Sequence, residues 1–138
     1  MGTRSLTYVY DSYENENGQN ESAPIICMYR QFDGYPEGHG AELAEFLSKF
    51  HVGNGISGSV KMGTFANGMG CLAAQMVAHF KKDVGNIYLY IPELNKDCWQ
   101  EYEYHVFENR VIVKNPSNVA FDGNWKSFVE FCSSDELA

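Results

Sequence analysis

The sequence predicts one α+β domain: a single antiparallel sheet of about five strands, two longer helices in mid-chain and a third helix at the C-terminus. Three observations predict it. Runs rich in Tyr, Ile and Val cluster towards both ends of the chain, several with period-two alternation. Between them, two stretches carry apolar residues at helical spacing. Strands and helices are therefore segregated, in the order ββααβββα, rather than alternating as a parallel α/β sheet demands. The 138 residues show no internal repeat and no linker, which fits one domain, 1–138, with a real core.

The first strand is Leu6–Tyr10, Leu-Thr-Tyr-Val-Tyr. Residues 11–23 are rich in Asn, Glu and Gly with little to bury, and read as a mobile hairpin loop. The second strand, Pro24–Arg30, is apolar on both faces until Arg30, which places it inside the sheet. After a turn at Asp33-Gly34-Tyr35-Pro36, a helix over His39–His51 buries Leu43, Phe46, Leu47 and Phe50. Gly53–Gly70 holds six glycines and reads as a long loop, with a short strand near Ser59–Lys61. The next helix, Gly70–Lys82, carries a stripe of Leu72, Ala73, Met76, Val77 and Phe80. Asn86–Ile91 is a strand ended by Pro92, and Glu93–Gln100 is a loop. Glu101–Phe107 and Arg110–Lys114 form a hairpin across Glu108-Asn109, broken by Asn115-Pro116. The last helix is Asn124–Cys132, and 133–138 is a flexible tail.

The formal net charge of −8 argues against DNA, RNA or an anionic membrane as partner. It leaves room for a small anion held by local donors, because distant charges are screened. The four cysteines never form C-x-x-C, and Cys27, Cys71 and Cys132 sit in apolar patterns, as buried free thiols do. With no signal peptide and no membrane-length apolar run, they suggest the cytoplasm.

The stretch Tyr29–Gly40 is too polar for a core element and too rich in chemistry for a plain connector. It leads from a strand into a helix, and Asn67-Gly68-Met69-Gly70 opens another. Glycine at a helix start lets an anion approach free backbone N–H groups, although neither stretch matches a P-loop or G-x-G-x-x-G and the glycines serve equally as plain helix entries. Arg4 and Arg30 flank the first two strands at one end of a hairpin, where they either hold an anion or pair with carboxylates such as Asp33 or Glu37. Tyr29 and Tyr35 suit stacking on a flat ring. The candidate binding residues are therefore Arg4, Tyr29, Arg30, Gln31, Asp33, Tyr35 and His39, with Asn67, Gly68 and Gly70 on the second stretch. No cofactor or metal is expected. Asp33, Glu37 and His39 are an alternative acid/base or metal-ligand set.

Met1-Gly2-Thr3-Arg4-Ser5-Leu6-Thr7, Tyr29-Arg30-Gln31-Phe32-Asp33-Gly34-Tyr35-Pro36 with Gly38-His39-Gly40, and Asn67-Gly68-Met69-Gly70 together resemble a family of small proteins of bacteriophages and related viral metagenomes. The resemblance covers most of the chain except Asp11–Ser22. It implies no catalytic role. A small phage-type protein with a preformed pocket is similar to the viral sponges, oligomers that sequester cyclic nucleotide signals of bacterial defence systems such as CBASS and Thoeris. The expectation is a non-enzymatic homo-oligomer that sequesters a small anionic nucleotide, a cyclic oligonucleotide or a cyclic ADP-ribose. Two alternatives stand beside it: an acidic nucleic-acid mimic that inhibits a host enzyme through Glu93, Asp97, Glu101, Glu103 and Glu108, and a small metal-dependent hydrolase.

Overall fold

Two long strands open the chain, β1 (Ser5–Glu14) and β2 (Asn20–Arg30), paired antiparallel from Ser5↔Arg30 to Glu14↔Asn20. The polar stretch 11–23, expected as a loop, is instead mostly ladder, with a register shift between Val9 and Tyr10. Its side chains bury little, but its backbone groups still find partners across the hairpin. The turn is confined to the residues around Asn15–Gln19, where Asn15 Oδ1 accepts from the N–H groups of Asn17 and Gln19 and Gly18 takes φ +77°.

The computed structural model describes residues 2–53, 65–94, 97–115 and 118–133. Its main sheet has six strands, adding β5 (Ile87–Tyr90), β6 (Tyr102–Phe107), β7 (Arg110–Asn115) and β8 (Asn118–Gly123) in the order β5-β2-β1-β6-β7-β8. The sheet is mixed rather than antiparallel, because β1 and β6 run parallel. A parallel pair needs a long crossover, and the mid-chain helices lie within it. β8 escaped the sequence reading because it is an edge strand: most of its side chains are exposed, so no burial pattern marks it. A second, two-stranded parallel sheet pairs β3 (His51–Gly53) with β4 (Phe65–Asn67). The strand expected near Ser59–Lys61 and the tail beyond residue 133 lie outside the described residues.

One π-helical turn, Pro36–Gly40, runs into α1 (Ala41–Ser48); α2 is Gly68–Phe80 and α3 is Trp125–Cys132. The helix expected over His39–His51 is thus shorter, since His51 already starts β3. Asn124 caps α3 by accepting the Ser127 N–H. No helix among the described residues is long and apolar enough to cross a membrane.

The helices cover one sheet face. There Val9, Met28, Tyr104, Val106, Val111 and Val113 pack with Leu43, Leu47, Leu72, Met76 and Phe128. The opposite face has its own cluster of Leu6, Tyr8, Tyr10, Cys27 and Tyr29, joined by Tyr90, Cys98 and Phe107. The segment leaving β5 returns along this face. Tyr8 Oη donates to the Glu93 carbonyl at 2.7 Å, and the Glu101 N–H donates to the Arg4 carbonyl at 2.9 Å. At the β5 edge, Ile87 N–H donates to the Gly85 carbonyl and Lys81 Nζ donates to the carbonyls of Gly85 and Ile87. Edge groups satisfied this way discourage pairing with a further strand.

Tyr8 is fully buried, so Tyr8→Phe keeps the packing and removes the hydroxyl's bond to the Glu93 carbonyl and its contact with Cys27. The expected cost is about 1 kcal/mol. Hydrogen exchange checks it: residues 97–101 exchange faster, while the β1–β2 ladder is unchanged.

Candidate functional site

Strand alternation divides the residues expected to act together. Arg30 points into the helix-side core and is buried, whereas Tyr29, one residue earlier, joins the opposite face. Arg30 Nε donates to the Phe32 carbonyl at 2.6 Å. Arg30 Nη1 donates to His39 Nδ1 at 3.2 Å and to Glu42 Oε2 at 2.9 Å. The guanidinium is therefore occupied within the fold, and the carboxylate it pairs with is on α1 rather than Asp33 or Glu37.

His39 is fully buried, and its tautomer follows from its neighbours. A guanidinium can only donate, so Nδ1 accepts and carries no proton. Nε2 then carries the proton and donates to Thr7 Oγ1 at 2.8 Å. Burial, reinforced by the Arg30 charge, lowers the His39 pKa to about 3, in agreement. Phe80 and Tyr104 pack against the ring at centroid distances of 5.0 and 5.2 Å. Asp33 and Glu37 are exposed while His39 is inside, so the three do not form an acid/base or metal set.

The glycines of the organising loop serve close packing. A Cβ on Gly34 would lie 2.8 Å from the Thr3 carbonyl, and one on Gly38 2.5 Å from the Asp33 carbonyl. The Gly34 N–H donates to Thr3, the Gly38 N–H to Tyr35 and the His39 N–H to Asp33, while Tyr104 Oη donates to the Gly34 carbonyl at 2.7 Å. These amides are spent on the fold. Gln31 N–H donates to the Asn86 carbonyl, and Tyr35 Oη to Asp33 Oδ1 at 3.3 Å. Asn67 ends β4, and Gly68, at φ +83°, and Gly70 start α2 facing open space. His39 meets the other end of that helix at Phe80, about 18 Å along the axis from Gly68 at 1.5 Å per residue. The two glycine stretches therefore do not build one pocket.

The face opposite the helices does bring a cation and rings together. Arg4, Tyr29, Tyr90, Cys98 and Trp99 line an open groove of about 440 Å³. The rings of Tyr29 and Tyr90 stack at 5.4 Å and 27°. Trp99 is 79% exposed at φ +67°, a left-handed conformation uncommon for a bulky residue. Its N–H donates to Asp97 Oδ1 at 3.0 Å. No ion pair or hydrogen bond engages the Arg4 guanidinium among the described residues. A roomier cavity, about 580 Å³ between α1 and α2, carries Glu42 and Glu45, but these carboxylates already pair with Arg30 and Lys49. The smaller groove is the better candidate because its cation is available.

No family model, curated protein or solved structure matches the chain. Of the residues expected at the site, Arg4 and Tyr29 meet; Arg30 and His39 are interior, and the rest lie elsewhere. Sequence reading missed Tyr90, Cys98 and Trp99. The available signal was Trp99 itself, a large ring set between Asp97, Cys98 and Gln100 in a segment otherwise read as loop.

Two outcomes follow. Arg30→Ala strands the His39 ring and the Phe32 carbonyl, and lowers unfolding free energy by about 2–3 kcal/mol in urea titration. His39 has a folded pKa near 3 against about 6.5 unfolded, so the unfolded chain takes up the proton first. Its contribution is intact above pH 6.5 and falls by about 1.4 kcal/mol per pH unit below it, towards pH 3. Melting in His39→Gln loses that slope.

Proposed function

We propose that this protein binds a small ligand joining a phosphate to a flat ring, a nucleotide in class, and holds it without chemical change. One observation carries this reading: an available guanidinium, Arg4, shares one groove with Tyr29, Tyr90 and the exposed Trp99. Arginine suits phosphate, and an indole or phenol stacks on any base, at about 1–3 kcal/mol per base. The groove volume lies within the range of small-molecule sites, about 300–1,000 Å³. Its walls offer a guanidinium, two phenols, a thiol and an indole, a set suited to holding a ligand. Attraction of an anion to a chain of net charge −8 is then a local matter of Arg4.

The mode of action on this reading is sequestration, in which slow release lowers the free level of a nucleotide signal. The resemblance of the N-terminal and loop motifs to phage proteins directs the choice to cyclic nucleotides, with the chain acting as a homo-oligomer in the host cytoplasm. The acidic-mimic reading loses one of its five carboxylates: Glu103 is 13% exposed and bound to His105 and Gln100. The hydrolase reading loses His39 to the core.

A thermal-shift screen against AMP, cyclic di-AMP, cyclic di-GMP and cyclic ADP-ribose tests the proposal, with the ligand recovered afterwards. At a hundred times its dissociation constant a bound ligand adds about 2.7 kcal/mol, and it is recovered unchanged. Trp99→Ala and Arg4→Gln each weaken binding about tenfold while the free protein melts as before. No shift with any nucleotide, or altered ligand on recovery, overturns it.

A further inference from the structure

The turn that carries Trp99 is tied to the sheet by the Glu101 N–H on the Arg4 carbonyl and by a chain of side-chain hydrogen bonds. Tyr10 Oη lies 2.6 Å from His105 Nδ1, and His105 Nε2 lies 2.9 Å from Glu103 Oε1. Gln100 Nε2 donates to Glu103 Oε2 at 3.0 Å, and Gln100 Oε1 accepts the Cys98 N–H at 2.9 Å. Cys98 and Trp99 are the groove's outer wall.

The polarity of the bonds from Cys98 to Glu103 is fixed. The Cys98 N–H can only donate, so Gln100 turns its oxygen to Cys98 and its amide nitrogen to Glu103. Glu103 then accepts twice, from Gln100 and from His105 Nε2–H. With His105 neutral and protonated at Nε2, its Nδ1 accepts from the Tyr10 hydroxyl. The surroundings hold these states. Burial opposes ionisation of Glu103, yet the hydrogen bonds from His105 and Gln100 outweigh it and keep its carboxyl below the usual range. Burial, with the charges of Glu103 and Cys27, pushes Tyr10 up to about 12, so it keeps its proton. The rings are clamped as well: Tyr8 stacks on His105 at 5.0 Å and 7°, and Tyr10 on Phe107 at 4.2 Å.

We propose that Tyr10, His105, Glu103 and Gln100 form a latch of positioning residues that holds Trp99 over the groove and so sets the affinity of the site. The positioning of Trp99 stands on the hydrogen-bond geometry alone; the effect on affinity rests on the nucleotide reading above.

The test uses full-length protein labelled with 5-fluorotryptophan. The two tryptophans give separate ¹⁹F resonances, and buried Trp125 reports on the fold. Glu103→Gln leaves one acceptor where two donors point, so the Trp99 resonance moves towards the free amino acid while Trp125 stays. Gln100→Glu sets two carboxylates together and does the same. The double variant Glu103→Gln/Gln100→Glu restores all the bonds. The carboxylate at position 100 accepts from Cys98 and from the amide at position 103, whose oxygen accepts from His105. Both resonances then return to their wild-type positions. Gln100→Ala detaches only the loop, and moves Trp99 alone.

Cyclic di-AMP affinity falls about tenfold in each single variant and recovers in the double variant. If the resonances behave this way and cyclic di-AMP does not bind, the latch stands and the choice of ligand fails. The latch is overturned if Trp99 keeps its wild-type resonance in the single variants. It is equally overturned if the double variant fails to restore it, or if Trp99 moves only together with Trp125.

Discussion

A guanidinium carried into a protein interior must be met by acceptors, and Arg30 is met from three directions. Its partners are the Phe32 carbonyl in its own exit turn, the His39 imidazole in the π-helical turn and the Glu42 carboxylate on α1. One side chain thus joins the end of β2 to the loop after it and to the first helix. His39 passes the link on to Thr7 of β1, and Tyr104 of β6 reaches the same loop through the Gly34 carbonyl. Removing such a centre is costly, because the buried His39 ring is left without its partner. The density of chemistry between Tyr29 and Gly40, which invites a ligand on paper, is spent on closing this junction.

Much of the fold was legible where burial is one-sided. The apolar stripes of Leu43, Phe46 and Leu47, and of Leu72, Met76 and Phe80, marked α1 and α2 through the core they line. The placement of β2 inside the sheet followed from its two apolar faces, since it lies between β5 and β1. What stayed hidden lacks a side-chain signature. The outer part of the β1–β2 hairpin and all of β8 are held mainly by backbone pairing, to which polar residues such as Asn20 or Asn118 are no obstacle. The parallel contact of β1 with β6 is a long-range choice that local periodicity does not record.

The site was legible only in part, for a geometric reason. Arg4 and Arg30 do lie at the same end of one hairpin, but successive side chains on a strand face opposite ways. Ser5 pairs with Arg30, so Arg4 falls on the other side of the sheet, with Tyr29. A cluster that is tight in sequence is split by the pleat. Tyr29 gains new neighbours in Tyr90, Cys98 and Trp99, some sixty to seventy positions away.

The parallel pairing of β1 with β6 sets residue 5 beside residue 102. During synthesis the β1–β2 hairpin therefore leaves the ribosome with both of its long edges unfilled, and waits for most of the chain to follow. Contacts of such sequence separation form slowly, because loop closure is paid before they reward it. The groove shares this timing, since Arg4 comes from the first residues and Trp99 from the segment just before β6. The groove is thus completed late in folding, and its shape records that the first residues and the segment before β6 have come together.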